Sequence, residues 1–344
     1  MGWLKGFNHE PMDYQRNYEM SSTYLVTGAG GFIGSHLVEE LTKQGAKVKA
    51  LVRYNSKNNW GWLENSELKD QFEVVVGDVR DYDSVHKALE NCQAVFHLAA
   101  LIGIPYSYLS PLAYIKTNVE GTYNILQASL KLDVENVVLA STSEVYGSAQ
   151  YVPIDEKHPL VGQSPYSASK IGADQLGLSY FRSFGLPVRI VRPFNTYGPR
   201  QSARAIIPSI ASQILFGKKE VRIGNLDPTR DLTFVKDTAN AFVEVSKSGE
   251  LLGEVTNVGM NVEISVKDLW KLIDEICGGQ SRVVQEEARI RPAKSEVDRL
   301  KCDNQKILSK TKWRPQYNLR KGLEETIQWI KAHQESYKSD IYNV

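Results

Sequence analysis

Short apolar, β-branched runs alternate along this chain with stretches whose apolar residues recur every three or four positions, the patterns of strands and helices respectively. Thr23–Thr27 (TYLVT) predicts a buried strand, and Ile33, Leu37 and Leu41 then fall at i, i+4 and i+8 on one face of a helix. Val48–Val52, Phe72–Val76, Ala94–Leu98 and Val134–Ala140 predict four further strands, with helical patterns between them, notably Ala113–Leu130. Another helix is predicted over Pro165–Phe184. Repeated strand–helix–strand order predicts an α/β fold with a doubly wound parallel sheet covered on both faces, its crossovers right-handed.

Beyond Pro193 the alternation weakens. The turn cluster Asn195-Thr-Tyr-Gly-Pro199 leads into shorter, less regular elements, so residues from about 200 to 230 and 264 to 344 are expected to form a smaller C-terminal lobe. Residues 23–199, with about 231–263, are expected to form the larger domain. A last helix is predicted over Leu319–Glu335, with Leu323, Ile327 and Ile330 on one face, and residues 1–22, which lack periodicity, read as an N-terminal extension.

Composition narrows the function classes. The 344 residues include 41 Lys or Arg and 40 Asp or Glu, a formal net charge of +1, which supplies no basic field for a phosphate backbone. No nucleic-acid partner is therefore expected. Cys92, Cys277 and Cys302 are too few and too widely spaced for a disulfide framework or a metal set, which points to a reducing, cytoplasmic setting. The most apolar stretch, Ala94 to Pro105, is too short to cross a bilayer, and the first residues have no signal-peptide core; no membrane partner is expected.

Gly28-x-x-Gly31-Phe32-Ile33-Gly34 lies between a predicted strand and a predicted helix. Missing side chains there let a backbone approach a pyrophosphate, and the helix N-terminus offers free N–H groups and the positive end of a dipole. The larger domain is thus expected to bind a dinucleotide. An acid at the end of the second strand would bridge the ribose hydroxyls of NAD and repel a 2′-phosphate. Here Val52 is followed by Arg53, Tyr54, Asn55, Ser56 and Lys57, with no acid before Asn59. Arg53 and Lys57 suit a phosphate, so NADP is expected rather than NAD.

Tyr166 and Lys170 stand at i and i+4 on a predicted helix. An ammonium beside a phenol lowers the phenol's pKa from about 10 toward neutrality, so Tyr166 is expected to take a hydroxyl proton as hydride leaves the same carbon. The fifth strand ends in Ser141-Thr142-Ser143-Glu144, and ligands bind at the carboxyl ends of strands in such sheets.

The GxxGxxG spacing resembles the extended short-chain dehydrogenase/reductase superfamily. Its resemblance gives Asp78 and Val79 an adenine-contacting place. It runs Leu98-Ala99-Ala100 beneath the dinucleotide with Pro193 beside it, and makes Thr142 the hydroxyl that bonds the reacting oxygen. The segments GAGGFIG, FHLAALIGIPYSY, ASTSEVYG, SPYSASK, PFNTYGPRQSARAIIP, RDLTFVKD and RPAKSEVDRL together resemble the nucleotide-sugar 4,6-dehydratases, above all those acting on UDP-N-acetylglucosamine in nonulosonic-acid biosynthesis. The resemblance runs from Thr23 to Trp329. It implies that Glu144 is the base removing the C5 proton. The dTDP-glucose type carries an acid just before that Glu, where this chain has Ser143, as the GDP-mannose type does. Further implied are Asn195, Arg204, Arg230 and Arg291 on the substrate's diphosphate and ribose, Gly103 and Tyr106 walling the hexose pocket, a tightly held NADP regenerated each cycle, no metal, and a homodimer or higher homo-oligomer built on Pro111–Leu132 and Pro165–Phe184. Two rivals share parts of this pattern: a UDP-hexosamine 4-epimerase, for which Glu144 is superfluous, and an inactive NADP-sensing protein, for which Tyr166 and Lys170 are.

Overall fold

The computed structural model describes residues 22–289 and 297–337. The N-terminal extension therefore lies, up to residue 21, outside the described residues, as does Arg291. Twelve strands occur among the described residues: β1 (Thr23–Thr27), β2 (Lys47–Val52), β3 (Glu73–Val76), β4 (Ala94–His97), β5 (Asn136–Ala140), β6 (Val188–Pro193), β7 (Asn195–Tyr197), β8 (Glu220–Ile223), β9 (Thr229–Phe234), β10 (Val255–Val258), β11 (Glu263–Ser265) and β12 (Arg282–Gln285). Seven of them form one sheet in the order β10-β6-β5-β4-β1-β2-β3, with every neighbouring pair parallel. The order reverses at β1, which pairs with β2 on one side and β4 on the other, so a crevice opens beyond Thr27 and His97.

The helices are α1 (Phe32–Lys43), α2 (Tyr82–Leu89), α3 (Ile104–Leu109), α4 (Pro111–Tyr114), α5 (Gly121–Lys131), α6 (Pro165–Phe184), α7 (Ile206–Leu215), α8 (Val235–Lys247), α9 (Val266–Ile276), α10 (Gln305–Lys310) and α11 (Leu319–Ala332). Side chains along each strand alternate between two apolar layers. Tyr24 and Val26 face α1 and α8 through Leu37, Leu41 and Phe242. Leu25 faces the opposite layer, built on Val85, Ile125 and Leu178 from α2, α5 and α6. The smaller lobe has its own core, where Ile207, Ile210, Leu269, Ile273, Leu323 and Ile327 pack together beside the sheets β11-β9-β7 and β12-β8.

Two helices determine where the chemistry falls. Ser164 caps α6 in a reciprocal pair with Ser167, Pro165 occupies the first turn, and Gly185 ends the helix at φ +68, a left-handed stop that favours glycine. Tyr166 is thereby fixed in the opening turn. The helix expected over Ala113–Leu130 runs on continuously through α4 and α5, with Ile115–Glu120 a π-helical stretch between them. Its wider turn carries Asn118, 1% exposed, to the backbone of Leu101 and to Ser169 of α6.

Within the stretch 264–344, the described residues divide. Those of α9 and α11 belong to the lobe core, whereas Ile307 and Trp313 return to the large sheet and pack in its α1/α8 layer. Trp313 is fully buried and donates from Nε1 to the carbonyl of Asp237 at 2.8 Å. Trp313→Ala should cost about 3–5 kcal/mol by opening a cavity. The expected result is a lower urea midpoint with an unchanged denaturant slope.

Candidate active site

The glycine loop is built backbone against backbone. A Cβ on Gly28, which has φ +67, would lie 2.8 Å from Ala99 N, and one on Gly34 would strike the carbonyl of Gly28. Gly31 caps α1 without a side chain, and no acid stands in the first turn, so the amides at Phe32 and Ile33 sit under an uncovered approach. Such a cradle fits a pyrophosphate. Thr27 Oγ1 accepts from the amides of Leu98 and Ala99 at 3.1 Å each, which holds the loop through Ala100 against the end of β1.

At the end of β2, Val52, Arg53, Tyr54, Asn55, Trp60 and Val76 line a shallow cleft. Asn55 organises the loop through its side chain, and Lys57, also exposed, donates its amide to Asn55. Glu64 is turned into that loop, accepting from Asn59 Nδ2 and the Trp60 amide. Asp78 is held below the usual carboxylate range by its hydrogen bonds from Arg80, 2.5 Å away. Val79 beside it is buried and takes Asn124 Nδ2 on its carbonyl.

The end of β5 faces the first turns of α6. Thr142 caps a short 3₁₀ turn, Ser143–Tyr146, its hydroxyl accepting from the Glu144 amide at 3.3 Å; Ser143 is buried. The Thr142 hydroxyl favours the ionised Tyr166 phenol, and the charge of the Glu144 carboxylate opposes it. Lys170, 5% exposed, donates from Nζ to the carbonyl of Ala140 at 2.6 Å. Thr142, Glu144, Tyr166 and Lys170 thus form one cluster.

The lowering of the Tyr166 phenol expected from Lys170 is opposed by burial. Burial, more than the nearby Glu144 and Asp174 carboxylates, holds Tyr166 well above its ordinary value, against the Thr142 hydrogen bond. Lys170 itself is pushed down by burial and directs its ammonium at Ala140 rather than at the phenol. His97, at the end of β4, is a packed residue between Thr27 at 2.8 Å and Thr122 at 3.2 Å.

Tyrosines and cations gather where the substrate side is expected. Tyr114, unanticipated from the sequence, is buried with its ring centroid 6.2 Å from that of Tyr166 in an edge-to-face arrangement, and its hydroxyl 2.5 Å from the carbonyl of Gly103. Tyr106 packs on the other side of that ring at 6.2 Å. A Cβ on Gly103 would lie 3.3 Å from Arg204 Nη1, so Arg204 joins the same wall. Asn195, in β7, carries a buried Oδ1 with no partner among the described residues, the state of a group kept for a ligand. Arg230 lies on β9, the neighbour of β7, and bonds the Thr229 carbonyl at 2.9 Å. Pro193 ends β6 beside Val258.

The sequence profile of the GDP-mannose 4,6 dehydratase family matches residues 25–326. The chain belongs to that family. Its sheet, glycine loop and smaller lobe are those of an extended short-chain dehydrogenase/reductase. Among relatives of this family, a putative UDP-glucose 4-epimerase of Methanocaldococcus jannaschii is 31% identical over 89% of this chain and 98% of its own. A dTDP-glucose 4,6-dehydratase of Streptomyces antibioticus is 33% identical over 89% of this chain and 92% of its own. A crystal structure of a dTDP-glucose 4,6-dehydratase of Streptomyces venezuelae with NAD bound superposes with a TM-score of 0.83 at 30% identity, covering 92% of this chain and 99% of that one. The family thus places this chain among nucleotide-sugar dehydratases and epimerases.

Burial in this site also sets an acid limit. Burial pushes His97 down to about 3 and His36 of α1 down to about 4, so the unfolded chain binds protons at these positions that the folded one refuses. Stability is therefore lost as pH falls below about 6.5. Asp231, pushed up to about 6 by burial, acts oppositely between that value and its unfolded one, and offsets one of the two histidines. Urea denaturation at pH 7 and pH 5 should show a net loss at pH 5. His97→Gln should lessen that loss by about 1–2 kcal/mol.

Proposed function

We propose that this protein is an NADP-dependent nucleotide-sugar 4,6-dehydratase acting on UDP-N-acetylglucosamine. The observation that carries the reading is Glu144 in the turn that Thr142 caps at the end of β5, from which its charge acts on the Tyr166 phenol. Epimerisation at C4 needs only a hydrogen-transfer pair, whereas dehydration needs a second base for the C5 proton. The substrate class rests on the resemblance of the segments around Glu144 and of SARAIIP, and on the wall of Gly103, Tyr106 and Arg204 that faces Tyr114.

When bound, a nicotinamide supplies one hydride acceptor that takes hydrogen from C4 and returns it to C6. Gly28, Gly31, Phe32, Ile33 and Gly34 would hold its pyrophosphate, with Arg53 and Asp78 at the adenosine end and Lys170 and Pro193 at the other. Tyr166 takes the O4 proton, and the Thr142 hydroxyl stabilises the phenolate against the cost of burial. Glu144 takes the C5 proton, made acidic by the new C4 ketone, and the C6 hydroxyl departs as water. No acid precedes Glu144, so the proton it removes is the one available to that hydroxyl. Asn195, Arg204, Arg230 and Arg291 are assigned to the diphosphate and ribose. The homodimer expected from Pro111–Leu132 and Pro165–Phe184, and a cytoplasmic location, accompany this reading.

Mass spectrometry of UDP-N-acetylglucosamine incubated with the protein in heavy water should show loss of one water and deuterium in the sugar. Glu144→Gln should slow water loss by about 10²–10⁴-fold while C4 oxidation persists. A C4 epimer of unchanged mass would make the protein an epimerase, and normal dehydration by Glu144→Gln would remove that residue from the mechanism.

The NAD of the Streptomyces venezuelae relative is weighed against the end of β2 in this chain, where no acid stands and Arg53 lines the cleft. Arg53→Asp should weaken NADP relative to NAD by about tenfold or more, equivalent to roughly 1.4 kcal/mol, in a direct titration of both cofactors. Wild-type protein that prefers NAD would overturn the NADP assignment and leave the dehydration chemistry standing.

A further inference from the structure

We propose that Asp174 is a positioning residue of this site, its carboxylate holding Lys170 as an ammonium directed at the end of β5. The proposal rests on the reading of Tyr166 and Lys170 as the hydrogen-transfer pair. Tyr166, Lys170 and Asp174 stand at i, i+4 and i+8, one stripe of α6 facing the sheet. Asp174 is 1% exposed. Its Oδ2 accepts from Ser141 Oγ at 2.5 Å and from Arg192 Nη2 at 2.8 Å, and Arg192 Nε donates to Ser141 Oγ at 3.3 Å. Ser141 lies between Ala140, which receives Lys170, and Thr142, which bonds Tyr166. The carboxylate is therefore tied to the strand end that the lysine and tyrosine serve.

The surroundings explain why a charge is needed there. Lys170 is buried, and burial favours the neutral amine. From its own helix it is faced by Tyr166 and by Asp174, whose charge favours the ammonium. From β4 it is faced by His97, which burial keeps neutral at ordinary pH. Tyr166 is faced by Glu144 and Thr142 from the β5 end and by Tyr114. Asp174 is in turn countered by Arg192 of β6, whose guanidinium lies 4.6 Å over the ring of Tyr146, and Tyr146 is anchored by its hydroxyl to Asn257. Arg192 gives that carboxylate a charged partner in the interior, where an unpaired charge is costly.

The test is the pH profile of turnover on whichever nucleotide sugar the wild type accepts, set beside a nitrogen-15 NMR titration of the Lys170 ammonium, with Lys170→Arg assigning the signal. Asp174→Asn keeps the hydrogen-bonding shape and removes the charge. The alkaline limb and the NMR titration should both move down by roughly one to two pH units, as expected for a unit charge one helical turn away at an effective dielectric near 20. Ser141→Ala disturbs the same strand end without changing a charge, and should lower turnover with the limb in place. A uniform loss of turnover in Asp174→Asn with both titrations unmoved overturns the proposal, as does an equal shift in Ser141→Ala. If Asp174→Asn does not fold, Asp174→Asn in an Arg192→Met background is compared with Arg192→Met alone, and the same downward shift is expected between those two. A wild type that turns over no nucleotide sugar defeats the reading of the site, and the NMR titration still decides the role of Asp174.

Discussion

The hydrogen bond from Lys170 Nζ to the carbonyl of Ala140 joins the two elements on which the site depends. Ala140 is the last residue of β5, and Lys170 lies one helical turn beyond Tyr166 in α6. The bond fixes how far along α6 the strand end can sit, and so which side chains meet. With it in place, Thr142 reaches the phenol and Glu144 comes within range of it. The capping pair Ser164–Ser167 and the glycine stop at Gly185 fix the same helix from its two ends. A chain that let α6 slide by one residue would turn Tyr166 away from β5, since each step rotates a helix by roughly 100°.

That frame is shared by proteins that carry out different reactions. Relatives named as an epimerase and as a dehydratase stand at 31% and 33% identity, each over most of this chain. Identity at this level reports the shared fold. What separates them is confined to a few groups around the hexose, and fold carries no information about those. Glu144 is the group in this chain that an epimerase has no use for. Its weight comes from its position against the phenol rather than from its mere presence in a turn.

The parts of this arrangement that were legible in the sequence are those set by local rules. Strand runs such as TYLVT, the glycine loop between strand and helix, and Pro165–Phe184 with its own cap and stop all follow from near neighbours. Tyr166 and Lys170 could be paired because four residues on a helix is a local distance. The rest depended on contacts between distant segments. Asn118 gave no signal, because the π-helical turn at Ile115–Glu120 re-aims it in a way that a regular period does not show, and Tyr114 meets Tyr166 only through tertiary packing. The burial that raises the Tyr166 phenol comes from tertiary packing, whereas the sequence displays only the lysine. Asp174 was readable in principle as the third member of the α6 stripe. Its partner Arg192 lies on another strand, and without that pairing it resembles any helical carboxylate.

The proposed reaction also closes its proton count with two residues. Dehydration across C5 and C6 with oxidation at C4 takes one proton from O4 and one from C5. One leaves in the water and one returns to C5. Tyr166 and Glu144 supply two places to hold them, so an acid at Ser143 is not required by the balance. Their closeness orders the steps. An ionised Glu144 disfavours the phenolate, so the proton from O4 relieves a repulsion as it arrives at Tyr166. The carboxylate is then left as the remaining base when the C4 ketone has made the C5 proton removable. A site with the tyrosine alone has no such second base, which is why Glu144, in the turn that Thr142 caps at the end of β5, carries the assignment.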